Sequence, residues 1–264
     1  MSFVVKRPVI RLRSGRMVTA VVVYASLVVA WYYSTQDLAS AAKLRFPSPS
    51  DVFAAFNQIN TVGYAGGTLL QHVEATLYRV IVGFAFASSL GIVTGIGMGL
   101  SKRFELVLNP LIQIVRPIPP LAWIPLALLW FGIDNTSKIF VAWLAVFTPA
   151  VINTYTGVRS TDQILVQAAR VHGAKSANVI SRVVIPGALP MIFTGLRLSL
   201  QVSWMAVVAS ELVGAYTGLG HVMIMASRDL ASPMIVVGMM SVVVLGFAST
   251  VLLTLAERWV IRWR

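Results

Sequence analysis

Six stretches of this chain are apolar for about the 20 residues that carry an α-helix across a bilayer: 17–33, 78–100, 106–131, 138–158, 191–213 and 233–256. That pattern predicts an all-α integral membrane protein with six transmembrane helices. The composition points the same way, because a chain that is 57% hydrophobic and 11% charged, with a mean hydropathy of +0.80, lies outside the range of soluble globular domains. A net charge of +12 in a soluble protein would raise the question of nucleic acid. In a membrane protein an excess of Lys and Arg records which connections face the cytoplasm, so lipid is the expected partner and nucleic acid is not. With no cysteine, disulfides and thiolate metal sites are excluded. His72, His172 and His221 are too scattered for a metal motif.

The connections set the orientation. With the N-terminus inside, fourteen Lys and Arg fall on the cytoplasmic side and only Lys43, Arg45, Lys138 and Arg228 on the other, while Arg79, Arg116 and Arg197 lie in or at the edge of spans. Both termini are therefore expected in the cytoplasm. The opening MSFVVKRPVIRLRSGRM followed by an apolar run superficially resembles a secretory signal. No small-x-small cleavage site follows promptly, so residues 1–16 are read as a cytoplasmic segment and 17–264 as one transmembrane domain. Within it, PSPSDVFAAFNQI in the long outer segment 34–77 has a Pro-Ser-Asp helix start and apolar periodicity, which predicts an interfacial amphipathic helix. Residues 101–105 read as a tight inner turn. The outer segment 214–232 is too short and Gly-rich to span, and is expected as a short re-entrant or surface helix.

Some motifs dissolve on inspection. GIVTGIGMG, with Gly91, Gly95, Gly97 and Gly99, would have to follow a strand to be a dinucleotide loop; in the middle of an apolar run it predicts close helix packing through small residues. GAKS at 173–176 lacks the spacing of a phosphate-binding loop, so no ATP site is expected in this chain. RPIPPLAWIP, from Arg116 to Pro125, is different. Its prolines must bend or break the span, and broken backbone is tolerated at membrane depth only beside protein or a water-filled path. Arg116, Pro117, Pro119, Pro120 and Trp123 thus mark a candidate translocation pathway, to which Glu211 is added as an intramembrane acid. A structural kink would explain the prolines too, and a structural ion pair would explain Glu211, Arg79 and Arg197 equally well.

The stretch QAARVHGAKSANVISRVVIP, Gln167 to Pro186, is polar and basic between two spans. Two short helices joined at Gly173 would fit it, with Pro186 limiting the second; so would an ordinary interfacial loop. The pattern resembles EAA-x3-G-x9-I-x-L-P, the cytoplasmic signature of the membrane subunits of binding-protein-dependent ABC importers, with Gln167 in place of the first glutamate and Val183 and Ile185 as conservative replacements. RPIPPLAWIPLALLWFGIDNTSKI, IPGALPMIFTGLRLSL and ASELVGAYTGLG further resemble the branch that handles taurine, aliphatic sulfonates, nitrate and related small anions, most of all the taurine-type permeases.

This resemblance, over essentially the whole chain, implies the type I ABC importer permease fold, with the loop 159–190 as a coupling helix docked on a separate ATPase. Gln167, Ala168, Ala169, Gly173, Ala174, Lys175, Val183, Ile185 and Pro186 would then form the coupling surface. It implies a homodimer carrying two ATPase subunits, which bind the ATP and Mg that this chain does not. It also implies an extracytoplasmic substrate-binding protein, residence in a bacterial inner membrane, and no catalysis by the chain itself. A stand-alone secondary transporter or channel for small anions is the alternative, but six spans without an evident inverted repeat argue against many such folds. A membrane enzyme is less favoured still, since no carboxylate cluster or His-rich constellation is apparent.

Overall fold

The computed structural model describes residues 14–36 and 46–263, and among them every regular element is helical. In chain order these are α1 (Ser14–Gln36), α2 (Pro49–Thr61), α3 (Leu69–Leu100) and α4 (Lys102–Val115), then a 3-10 turn (Pro120–Trp123), α5 (Ile124–Phe131) and α6 (Asn135–Arg159). They continue with α7 (Gln163–Val171), α8 (Ser176–Val179), a π turn (Ile180–Val184), α9 (Ile185–Val213), α10 (Leu219–Arg228) and α11 (Ser232–Val260). The segment 1–13 lies outside the described residues, as do Lys43, Arg45 and Arg264.

Four continuous helices are long and apolar enough to cross a membrane: Leu69–Leu100, Asn135–Arg159, Ser176–Val213 and Ser232–Val260. The pair Lys102–Val115 and Pro120–Phe131, bent by 81° at the proline run, is apolar enough to make a fifth if the two halves together form one broken span. The expected first span falls within α1, whose described apolar stretch, Val21–Thr35, is shorter than a full crossing. Among the described residues the full-length spans therefore number five at most, against six expected. The inner turn is tighter than the sequence implied, since Ser101 alone separates α3 from α4 and caps α4 with its hydroxyl.

Hydrocarbon supplies no hydrophobic drive for helices to associate, so close approach through small residues must do it. The glycines of α3 serve that purpose. A Cβ built on Gly83 would lie 2.7 Å from Cβ of Ala142, on Gly91 2.7 Å from Ala150, and on Gly95 2.6 Å from Thr154, with Gly99 against Val158 completing the series. Each pair is offset by the same number of residues, and Ala87, wholly buried, fills the missing position. This register makes α3 and α6 parallel neighbours. Their C-terminal ends, Leu100 and Arg159, therefore lie at one end of the bundle, and Leu69 and Asn135 lie at the other. The bent span α4–α5 carries the chain back between them. α9 returns antiparallel along α6, where Ser199 donates to the Val146 carbonyl at 3.1 Å, and α11 follows, held by Trp204 Nε1 on Ser249 Oγ at 3.0 Å.

The two connecting helices behave differently from simple surface elements. α2 begins with a capping box in which Ser48 and Asp51 satisfy each other's backbone amides. Its Val52, Ala55 and Ile59 are buried in a core shared with α10 and α11. α10 is packed into the bundle and is not a surface helix: its Leu219, Val222 and Ala226 are wholly buried.

Candidate functional site: a broken span and a helical cassette

The polar segment between α6 and α9 builds its own ends. Asp162 caps α7 by accepting the Ile164 amide at 2.8 Å. At the other end the Ala174 amide donates to the Ala169 carbonyl at 3.0 Å and the Gly173 amide to Arg170 at 2.9 Å. Those two bonds are a Schellman close, which needs a left-handed residue at the position Gly173 occupies. Its φ is +78°, and among the described residues nothing lies within 4 Å of a Cβ placed there. Two short helices joined at Gly173 are thus present.

Pro186 does not end the second helix, contrary to expectation. α8, the π turn and α9 run on as one rod from Ser176 to Val213. The proline is accommodated in the first turn of α9, directly after the π turn, where a missing backbone N–H costs little. The residues of the motif then divide. Gln167, Ala168, Gly173 and Lys175 are exposed, whereas Ala169, Ala174 and Val183 pack on the cluster of Val158, Val166, Val179, Val184, Ala188 and Ile192. Ile185 and Pro186 are half-buried in the rod. Between this cassette and the ends of α3 and α6 lies a cleft of about 400 Å³, with Gly99 and Val158 on one wall and Arg159, Gln163 and Arg170 at its rim.

The broken span presents Arg116 at its corner. Arg116, Pro117 and Pro119 are exposed on the isolated chain, and Pro120 and Trp123 are half-buried. Arg116, Pro120 and Trp123 line a cleft of about 250 Å³ with Leu144, Ala145, Thr148, Pro149 and Val202. The residues contributed by α6 are half-way along that helix, so Arg116 lies beside its middle rather than its ends. Among the described residues no carboxylate pairs with it.

Glu211 is not brought to this cleft. It is wholly buried at the end of the bundle away from the cassette. Arg79 Nη1 donates to its Oε1 at 2.5 Å, the Gly220 amide donates to its Oε2 at 2.9 Å, and the Thr76 hydroxyl lies 3.0 Å from both oxygens. Arg79 also bonds the Thr217 carbonyl at 2.7 Å and, through Nε, Asn135 Oδ1 at 2.7 Å. The first amides of α10 complete the arrangement, with Gly218 donating to His72 Nδ1 and Leu219 to Thr76 Oγ1. This is a clamp on α3, α6, α9 and α10. Arg197 is likewise ion-paired, with Glu257 of α11. Lys138, expected in an outer connection, is 1% exposed and donates to the carbonyls of Ile133 and Asp134 at 2.8 and 2.9 Å.

Sequence reasoning missed Glu105, Tyr155 and Arg159. Tyr155 donates to Glu105 Oε1 at 2.6 Å, and Arg159 Nη2 stands 3.7 Å from Glu105 Oε2. Their fifty-residue separation hid the contact. Among the described residues no group of His, Asp and Glu could hold a metal ion.

A family model described as the binding-protein-dependent transport system inner membrane component matches residues 87–263. The chain is 38% identical to the taurine transport system permease protein TauC of Escherichia coli (strain K12), over 90% of this chain and 86% of that one. It is 34% identical to the putative aliphatic sulfonates transport permease protein SsuC of Bacillus subtilis (strain 168), over 90% and 85%. Its fold is similar to a structure of inward facing conformations of the MetNI methionine ABC transporter, with a TM-score of 0.59 at 20% identity, covering 74% of this chain and 94% of that one.

Proposed function

This chain belongs to the family of binding-protein-dependent transport system inner membrane components, and from that premise we propose that it is the permease subunit of an ATP-driven importer of a small organic anion, a sulfonate such as taurine. Its relatives are permease subunits and not enzymes, and two of those compared are named for taurine and aliphatic sulfonates. The observation that carries the anion reading is Arg116. A guanidinium stays charged at any working pH, and a charge at membrane depth is costly unless it faces a partner or a water-filled cavity. With no carboxylate beside it among the described residues, it offers its donors to an anion that passes the proline break.

Two copies would close the path. α4 has no buried side chain, and Leu106, Val107, Leu111 and Ile114 are each more than half exposed, so this face has apolar surface to give to a second copy across the pathway. The cassette would dock on one ATPase per copy through Gln167, Ala168, Gly173 and Lys175, with ATP and Mg bound there. An extracytoplasmic binding protein would deliver solute at the opposite end, where the clamp lies. Both termini and the cassette are placed in the cytoplasm on the Lys and Arg distribution. Alternating access then requires each partner to bind one state of the permease more tightly than the other.

The test is Arg116→Leu in the assembled transporter, assayed for uptake of taurine and ethanesulfonate at matched membrane abundance. Uptake should fall at least about tenfold, the equivalent of one charge-assisted hydrogen bond, with assembly unchanged. Normal uptake would return Arg116 to a structural part in the kink.

A further inference from the structure

α4 leads into Arg116, its C-cap residue, yet within one copy it is loosely packed. It buries no side chain. Among the described residues the one hydrogen bond from an α4 side chain to another helix is made by Glu105, which accepts from Tyr155 of α6 at 2.6 Å. Ser101 gives α4 a single-residue connection to α3, and Phe104 rests on Gly97. Within one copy, the Glu105 contact is therefore the side-chain tie between α4 and α6.

Glu105 is held by half. Its side chain is 14% exposed, and its Oε2 is buried without a hydrogen-bond partner among the described residues. Buried carboxylate oxygens are ordinarily satisfied, so an orphan calls for a reason. The nearest cation is Arg159, with Nη2 at 3.7 Å, too far for a hydrogen bond. Arg159 is the last residue of α6 and lies against Tyr155, its guanidinium 5.8 Å from the ring centroid. It also lines the cleft beneath the cassette, together with Arg170 and Ser176. One arginine therefore lines the cleft beneath the cassette and also stands within ion-pair distance of Glu105, short of a hydrogen bond.

We propose that Glu105, Tyr155 and Arg159 form the joint through which movement of the cassette reaches α4 and, at its far end, Arg116. Narrowing the cleft presses on Arg159 and moves it onto the orphaned oxygen, a shift on the order of 1 Å from 3.7 Å to hydrogen-bond distance. Tyr155 keeps the other oxygen in place while this happens. α4 is then locked to α6 in one state and tethered only by Tyr155 in the other, a two-position element of the kind coupling requires. The inference rests on the transporter reading above, since it needs the cassette to be pushed.

The experiment uses the permease reconstituted with its ATPases and binding protein in proteoliposomes, comparing Glu105→Gln, Arg159→Gln, Arg159→Lys and the double Gln variant. ATPase recovery, stimulation of ATP hydrolysis by loaded binding protein, and taurine transported per ATP are each measured. The single Gln variants should assemble and hydrolyse ATP on stimulation, yet transport about tenfold less per ATP, the loss expected of one charge-assisted bond. The double variant should be no worse than the poorer single, because residues acting as a unit are not additive. Arg159→Lys should recover part of the ratio, since charge survives while the fork is lost. Wild-type transport per ATP in both single variants, or losses that multiply in the double, would overturn the joint. A wild-type complex with no stimulated hydrolysis would overturn the transporter reading and the joint with it. A second measurement leaves Glu105 intact: spin labels on Lys102→Cys and Ser160→Cys, in a chain with no other cysteine, should report different distances without nucleotide and with ATP bound. One unchanged distance in the two states would equally overturn the proposal.

Discussion

Replacing Glu211 by glutamine is a sharp test of whether this acid belongs to the solute path or to the scaffold. The carboxylate is wholly buried, and its partner Arg79 has a side chain only 5% exposed. Glutamine keeps the shape and can still accept from Gly220 and Thr76, but it leaves the guanidinium without its counter-charge in a site water does not reach. Removing one member of a buried ion pair costs about 3–5 kcal/mol. Arg79 retains the Thr217 carbonyl and Asn135 Oδ1, both at 2.7 Å, so the lower part of that range applies, about 3 kcal/mol. At about 2–4 °C per kcal/mol for a chain of this size, the purified protein should lose about 6–12 °C in its unfolding midpoint. Its seven tryptophans supply the fluorescence signal. Arg79→Leu alone should be at least as damaging, because it strands the carboxylate. Combining Arg79→Leu with Glu211→Gln should cost clearly less than the sum, with a coupling of about 2 kcal/mol. A midpoint within about 1 °C of wild type in Glu211→Gln, together with abolished transport, would refute the scaffold assignment and return Glu211 to the pathway.

Two further outcomes test the cassette. Gly173→Val puts a branched side chain where φ is +78°, a conformation costing about 1–2 kcal/mol even for less hindered L-residues. Because none of the described residues lies within 4 Å of the new Cβ, membrane abundance should stay normal while ATPase recovery or its stimulation falls about tenfold; full association and full transport would remove the cassette from the coupling role. Ser176→Cys, in a chain with no native cysteine, should resist impermeant thiol reagents applied outside intact cells and react in inverted vesicles. Labelling from outside would reverse the topology.

The local elements were legible because their causes are local. Hydropathy alone located the long apolar helices, the Ser48–Asp51 start of α2 is written in PSPSD, and Gly173 marks a turn that only a left-handed residue closes. The break at Arg116 followed from prolines that cannot donate. Helix ends were less legible: α3 begins at Leu69 and the α9 rod at Ser176, since polar first turns lower hydropathy without stopping a helix. The continuation through Pro186 needed a π turn, which leaves no signature in composition.

What the sequence could not express is which charges meet. Arg79, Arg116, Arg197 and Glu211 all read as costly intramembrane ions of equal standing, and the helix register separated them. The parallel seating of α3 on α6 sets Arg79 level with Asn135 and within reach of Glu211, and α11 brings Glu257 to Arg197. Arg116 alone of the four cations and acids is left unpaired among the described residues. Glu105 meets Tyr155 across fifty residues for the same reason. A single span's sequence determines that it is a helix and roughly where it bends, since those depend on neighbours within a turn or two. Whether its charge is a strut or an invitation to solute depends on the rotation and depth at which other helices pack against it, and only the assembled bundle decides that.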